Sequence, residues 1–202
     1  MAANQISINH SDAFATRLWS VNLPHLHVNE SKWIQEIEKL MDQSKGVQKS
    51  NRFGWQSQSN LSSNEIFAPL FSDVSQIFRA LLDMMSPNID FQLEAWVNVN
   101  ATGSLNSPHT HPVSLLSAVY YFQVPENSGD IYFKDPRPGA AHSYFHGGPN
   151  ACPPNCSADI RITPKQNMLL IFPSWLEHGV HEHQGVGRRI SIALNAELKK
   201  AS

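Results

Sequence analysis

The stretch FQLEAWVNV, residues 91–99, decides the fold because the sequence changes there from a helical pattern to a strand pattern. Its apolar and polar residues alternate, as they do in a strand with one buried face. Further short apolar segments follow, separated by turns rich in proline, glycine and asparagine, at residues 115–124, 130–133, 160–163, 168–172 and 189–197. This succession predicts an antiparallel sandwich of short strands.

Two amphipathic helices are predicted before this point. The first covers residues 32–44, with Ser31 as its N-cap and Gly46 after its end. The second covers residues 64–85, and Pro87 stops it. Because both helices precede the run of strands, we expect them to pack on one face of the sheets.

The chain is predicted to be a single domain spanning residues 1–202. Residues 1–89 supply an N-terminal strand and the supporting helices, and residues 90–198 form the β core. Residues 136–158 form a long, turn-rich insertion of the kind that is usually functional or mobile. That insertion also holds Cys152 and Cys156, which we interpret as ordinary loop residues, although a disulfide or a metal-binding role stays open.

Composition excludes several classes of function. The formal net charge is −2, so we expect neither nucleic acid nor an anionic membrane as partner. No apolar run reaches the roughly 20 residues of a membrane span. The first nine residues lack the basic and apolar regions of a secretory signal, so we expect a cytoplasmic protein. Oligomeric state is left open, and a homo-oligomer is compatible with the sequence.

The motif PHTHP, residues 108–112, is the first candidate for metal binding. His109 and His111 are two residues apart, and in extended backbone such side chains point to the same side. Both imidazoles can then reach one ion, and imidazole suits iron, copper, nickel and zinc. Alone, the motif is equally compatible with surface histidines in a turn.

The segment MLLIFPSWLEHGV, residues 168–180, strengthens this interpretation. A buried strand ends there, turns, and delivers His178 just before a short strand at residues 179–181. Eleven residues after His178, Arg189 and Ser191 share one face of the last predicted strand. A guanidinium and a hydroxyl side by side form a good socket for a carboxylate.

Taken together, HxH, SGDIYF, FPSWLEHGV and RRISIALN resemble motifs of the 2-oxoglutarate/Fe(II)-dependent oxygenases. The resemblance covers roughly residues 91–198. It implies a double-stranded β-helix, or jelly-roll, that uses Fe(II), 2-oxoglutarate and dioxygen to oxidise a substrate, usually by hydroxylation. It implies His109 and His178 as metal ligands and Arg189 and Ser191 as the pair that holds the distal carboxylate of 2-oxoglutarate, with Tyr121 assisting.

The sequence departs from the family pattern at the third ligand. The family usually has Asp or Glu where this chain has His111, and a neutral imidazole removes no charge from an Fe(II) site. We retain His111 as a ligand. The alternative carboxylates are Asp130 and Asp135, which fall on the following strand segment.

A cupin-type metalloenzyme that does not use 2-oxoglutarate is the alternative, because the spacing around both histidine motifs also satisfies parts of the cupin pattern. However, the cupin glutamate is missing, Trp175 stands at a glycine position and Glu182 at an asparagine position. Arg189 and Ser191 favour 2-oxoglutarate. A non-catalytic jelly-roll binding module is a third hypothesis.

The remaining predictions concern the substrate side of the site. Asn98, Trp96 and His181 are candidates for lining the pocket, although core packing is the more usual role for a tryptophan such as Trp96. His181 and His183 are otherwise interpreted as surface residues. His142 and His146 are solvated loop histidines or line a substrate channel. The substrate is a small molecule or a protein, and the sequence does not decide between them.

Overall fold

The computed structural model describes residues 14–137 and 159–199. Within them the chain forms two α-helices, three short 3-10 helices and eleven strands. The α-helices are α1 (Glu30–Gln43) and α2 (Ala68–Met85). The 3-10 helices are Pro24–Asn29, Leu61–Ser63 and Glu65–Phe67. The strands are β1 (Trp19–Asn22), β2 (Asn51–Arg52), β3 (Trp55–Gln56), β4 (Phe91–Asn100), β5 (Leu105–His109), β6 (Ser114–Gln123), β7 (Ile131–Lys134), β8 (Asp159–Ile162), β9 (Met168–Pro173), β10 (His178–Val180) and β11 (Arg189–Leu198).

The strands form two antiparallel sheets. One has six strands in the order β1-β9-β6-β11-β4-β3, and the other has five in the order β2-β5-β10-β7-β8. The apolar side chains between them, including Tyr121, Phe133 and Phe172, come from both sheets. Each sheet is hydrogen-bonded only within itself in the described part of the chain, so the predicted jelly-roll is a sandwich rather than a closed barrel.

Strand β11 lies at the centre of the larger sheet. All ten of its residues pair with β4, and β6 pairs with its other side. Its first eight residues are buried, because one face of the strand meets the helices and the other meets the second sheet. The alternation of the sequence therefore separates outward apolar residues from inward polar ones.

Both α-helices pack on the outer face of the six-stranded sheet, as predicted. Trp33 of α1 is fully buried against Tyr120 and Phe122 of β6, and its indole nitrogen donates a hydrogen bond to the carbonyl of Ile66. Apolar residues of α2 at helical spacing join the same core. No helix in the described residues is both long and apolar enough to cross a bilayer.

Consecutive strands β2 and β3 belong to different sheets. Strand β2 pairs with β5 of the smaller sheet, and β3 pairs with β4 of the larger one. Residues 49–59 therefore cross from one sheet to the other and close one side of the space between them. Neither strand was predicted, because two residues carry no periodic signal.

The other elements differ from their predictions mainly at their ends. Helix α1 begins at Glu30 rather than at 32, and the predicted second helix divides into the 3-10 turn Glu65–Phe67 and α2. Strand β5, which ends at His109, was expected as a loop. Most of the predicted insertion, including His142, His146, Cys152 and Cys156, lies outside the described residues.

Replacing Trp33 with alanine tests the packing of the helices on the sheet. We expect the free energy of unfolding to fall by about 3–5 kcal/mol, because the change leaves a cavity at a fully buried site. Trp175→Ala is the matched control, since Trp175 is 57% exposed and should lose much less. Equal losses for the two variants, measured by urea denaturation, would contradict this packing.

Candidate metal and co-substrate site

A cavity of about 520 Å³ lies between the two sheets. Its walls come from the inner faces of β4, β6 and β11 on one side and of β5, β7 and β10 on the other, and residues 49–59 contribute at the side. The predicted site residues that line it are Trp96, Asn98, His109, His111, Tyr121, His178, Arg189 and Ser191. One cavity therefore unites the two parts of the site that the sequence predicted separately.

Three histidines meet in this cavity. His109 ends β5 and His178 begins β10, and the two are directly paired across the strands. His111 lies just after β5. One ring nitrogen from each of the three falls within 4.8 Å of the others, close enough to share one metal ion. Asp130 and Asp135, the alternative carboxylates, are not in this cluster.

The orientation of two of these imidazoles is set by their own backbone. Nδ1 of His109 lies 2.8 Å from the carbonyl oxygen of Ser107, and Nδ1 of His178 lies 2.9 Å from that of Leu176. A carbonyl can only accept, so Nδ1 carries the proton in both rings. Nε2 is then the bare nitrogen and can bind a metal.

Burial keeps the three imidazoles neutral. Together with the neighbouring His109, burial lowers the pKa of His178 to about 3 and the pKa of His111 to about 4. The pKa of His109 is lowered as well, for the same reason. Neutral imidazole is the form that binds metal, so the cluster is ready to do so at physiological pH.

The predicted carboxylate socket lies in the same cavity. Arg189 is 2% exposed, and its Nη1 donates to the carbonyl oxygens of Ser128 at 2.5 Å and Gly129 at 3.3 Å. Its Nε has no hydrogen-bond partner in the described residues, and no carboxylate there pairs with it. An unpaired buried cation is unfavourable, which lowers the pKa of Arg189 and leaves a place for an anion.

Three further polar side chains line the same cavity as this guanidinium. Ser191 is two residues along β11 and is paired with Asn98 on one side and Tyr121 on the other. The side-chain oxygen of Asn98 is buried without a partner in the described residues. Burial raises the pKa of Tyr121, so its hydroxyl keeps its proton and can donate a hydrogen bond.

Two histidine predictions differ from the structure. His181 does not line the cavity, because its ring stacks on Tyr132 with centroids 4.6 Å apart. His183 is fully buried rather than at the surface, and its ring nitrogens bond to the backbone of Gly185 and Gly187. It therefore stabilises the turn before β11.

Sequence reasoning did not identify Glu94, Ser117 and Asn195 as site residues. All three line the cavity close to His111, and they are hydrogen-bonded to one another. The available signal was the alternation of β11, which places Asn195 on the same face as Arg189 and Ser191. Glu94 on β4 and Ser117 on β6 could be placed beside Asn195 only if the strand register were known.

A family described as "Putative 2OG-Fe(II) oxygenase" matches residues 94–195. The match covers half of the chain and includes every residue of the predicted site. The chain belongs to this family. It is therefore an oxidoreductase whose cofactor is Fe(II) and whose co-substrate is 2-oxoglutarate, as the sequence motifs predicted.

Several solved structures have a similar fold. A prolyl-4-hydroxylase of Pseudomonas putida has a TM-score of 0.65 at 12% identity, over 92% of this chain and 94% of that one. HygX of Streptomyces hygroscopicus, crystallised with nickel and 2-oxoglutarate, gives 0.64 at 13%, over 91% and 84%. A Trichoplax adhaerens prolyl hydroxylase gives 0.61 at 15%, over 89% and 83%. No curated protein matches. At these identities the structural likeness concerns the fold.

The buried histidines make the metal-free protein sensitive to acid. The unfolded chain protonates its histidines near pH 6.5, whereas folded His111 does so only near 4. Unfolded protein then binds more protons between these values, so the contribution to stability is complete above pH 6.5 and is lost as the pH falls towards 4. His111→Gln should remove roughly 3 kcal/mol of this dependence.

The measurement is urea denaturation in the presence of a chelator at a series of pH values. His25→Gln is a matched control, since His25 is a largely exposed histidine far along the chain from the cluster. Parallel pH profiles for wild type and His111→Gln would show that burial of His111 has no such effect.

Proposed function

We propose that this oxygenase binds Fe(II) through His109, His111 and His178 and couples the oxidative decarboxylation of 2-oxoglutarate to hydroxylation of an organic substrate. The observation that carries the proposal is the presence, in one cavity, of three converging imidazoles and a buried guanidinium that has no anionic partner in the described residues. A divalent cation and a dicarboxylate are the complementary ligands.

Arg189 has the main part in binding 2-oxoglutarate. Arg189 has no anionic partner in the described residues, and the C5 carboxylate of 2-oxoglutarate would supply one. Nε of Arg189 and the hydroxyls of Ser191 and Tyr121 can donate hydrogen bonds to the oxygens of this carboxylate. The carbonyls of Ser128 and Gly129 hold the guanidinium from behind and fix its direction. With this end anchored, the C1 carboxylate and ketone are directed along the cavity towards the histidines.

In this chemistry, the main task of the chain is to hold the metal and the co-substrate in fixed positions. Bound Fe(II) supplies the redox chemistry by which dioxygen and 2-oxoglutarate give succinate, carbon dioxide and a hydroxylated product. The histidines hold the metal in a fixed place, and the apolar walls, including Val119, Ile131 and Phe172, limit the access of water. The remaining space, between Trp96 and residues 49–59, is where we place the substrate, a small molecule or part of a protein.

The cupin-type alternative is not favoured. A metal enzyme that ignored 2-oxoglutarate would have no use for a buried, unpaired guanidinium in its metal cavity, and burying one would only destabilise the fold. The same cavity argues against a non-catalytic binding module, since neutral converging imidazoles in a jelly-roll are suited to a metal rather than to packing.

Anaerobic addition of Fe(II) and 2-oxoglutarate tests the proposal directly. We expect a visible metal-to-ligand charge-transfer band in the wild-type protein, because 2-oxoglutarate would chelate the bound metal. His178→Ala should abolish the band by removing one ligand. His183→Ala is a control for loss of a buried histidine elsewhere, and it should keep the band if the variant folds. A band of wild-type intensity in His178→Ala would refute this ligand set.

Arg189→Ala tests the co-substrate socket separately from the metal. We expect 2-oxoglutarate affinity to fall at least about 30-fold, because truncating one partner of a buried charge pair costs about 2–5 kcal/mol. Affinity for Fe(II) alone should change little. Arg188→Ala is the matched control, since the neighbouring Arg188 is partly exposed and paired with Glu38 at 3.1 Å. Calorimetry that gave both variants the same 2-oxoglutarate affinity would contradict this role.

A further inference from the structure

The crossing segment places two cations on one side of the cavity. Lys49 and Arg52 both line it, and neither has a carboxylate partner in the described residues. Nη1 of Arg52 donates to the carbonyl oxygens of Lys49 at 3.0 Å and Asn51 at 2.9 Å, which fixes the guanidinium. Its other edge, Nε and Nη2, makes no hydrogen bond within the described part of the chain. Two such parallel N–H groups form the fork that fits a carboxylate.

A carboxylate lines the cavity from the other sheet. Glu94 belongs to β4 and is partly buried. Its Oε2 accepts a hydrogen bond from Nδ2 of Asn195, which is on the inner face of β11, at 3.0 Å, so the carboxylate is directed into the cavity. Its Oε1 has no partner in the described residues, and no cationic side chain there pairs with Glu94. A partly buried, unpaired carboxylate is suited to an ammonium group.

The guanidinium of Arg52 lies close to the histidine cluster. It is bound to the carbonyl of Lys49, and the next residue along the chain is Ser50. Oγ of Ser50 is 3.4 Å from Nε2 of His109. Nδ2 of Asn106 donates to the same Oγ at 3.1 Å, so this part of the crossing segment is held against β5. A group bound by Arg52 would therefore lie beside the proposed metal position.

Glu94 approaches the cluster from the opposite sheet. Trp96 contacts the ring of His111, with centroids 5.7 Å apart. Glu94 is two residues before Trp96, on the same face of β4, and two residues of a strand span about 7 Å. The histidines therefore have a guanidinium nearby on the side of the smaller sheet and a carboxylate nearby on the side of the larger one.

We propose that the substrate is a small zwitterion, whose carboxylate binds Arg52 and whose ammonium group binds Glu94. The inference rests on the proposed function, because it names the substrate class of that site. A free molecule matches these charges better than a peptide segment does, since the α-amino and α-carboxyl groups inside a peptide are uncharged amides. Because the two charged side chains come from different sheets, we expect several bonds between the two charged groups of the substrate, with the C–H bond to be hydroxylated among them.

Ligand-observed NMR tests the proposal, on protein loaded with Zn(II) and 2-oxoglutarate so that no turnover occurs. The probes are free lysine, free arginine and the ω-amino acids from glycine to 6-aminohexanoate. We expect saturation transfer to at least one of the longer zwitterions and none to glycine. The amide of that zwitterion lacks the carboxylate, and its N-acetyl form lacks the ammonium group. Each should bind about tenfold more weakly, because each loses a charge-assisted contact.

Two variants assign the two ends of the molecule. Arg52→Gln should weaken binding of the free zwitterion about tenfold and leave its amide unaffected, since the amide has no carboxylate for Arg52. Glu94→Gln should weaken the free zwitterion similarly and leave the N-acetyl form unaffected. Arg161→Gln is a control on β8, where Arg161 is 60% exposed and outside the cavity, and it should bind every probe as the wild type does. A variant that merely folds poorly would weaken all probes alike.

The proposal would be overturned if none of the free zwitterions bound, or if phosphoethanolamine, whose anionic group is a phosphate, bound more tightly than all of them. Equal affinity for a zwitterion and its amide or N-acetyl form would also overturn it, and would favour a peptide segment as substrate. Failure of the proposed function would look different. In that case Fe(II) and 2-oxoglutarate would give no charge-transfer band, whether or not a zwitterion binds.

Discussion

The whole site depends on the pairing of β11 with a strand on each side. A strand with neighbours on both edges cannot shift by one residue without moving every side chain to the opposite face. Here such a shift would turn Arg189 and Asn195 into the helix-packed core and Ile190, Ile192 and Leu194 into the cavity. Both outcomes are strongly unfavourable, so the packing of the helices on the outer face also fixes the chemistry on the inner face.

This arrangement divides the cavity into two electrostatic zones along one strand. The inward residues of β11 run from a guanidinium at Arg189, through Ser191 and Ala193, to an amide at Asn195. Arg189 is a buried cation without an anionic partner in the described residues, and Asn195 lies beside His111. The opposite sheet supplies His109 and His178 from paired positions. Secondary structure therefore aligns the proposed co-substrate and metal positions, and loops contribute His111 and the carbonyls of Ser128 and Gly129 that hold Arg189.

Much of this could be predicted from sequence because the relevant signals are local. Alternation along residues 189–197 was enough to place Arg189 and Ser191 on one face, and the spacing of HxH was enough to predict two converging imidazoles. The hydrogen bonds of Asn195 to Glu94 and Ser117 could not be predicted, since they depend on which residues of β4 and β6 stand opposite it. His181 was misplaced for a similar reason, since its contact with Tyr132 depends on the pairing of β10 with β7, just before His181. The strands β2 and β3 are too short to give any periodic pattern.

The crossing segment of residues 49–59 forms a part of the cavity wall that is structurally separate from the proposed metal and co-substrate residues. It supplies Lys49, Arg52 and Gln56 to the cavity wall, yet its strands pair only with the outermost positions of β4 and β5. The residues that we propose to bind iron and 2-oxoglutarate are positioned mainly by strand register, whereas residues 49–59 form a short wall at the edge of the sheets. Selection can therefore alter which molecules are admitted by exchanging a few side chains at the periphery, while the iron and co-substrate positions stay intact. Relatives with unlike substrates could diverge first along this wall.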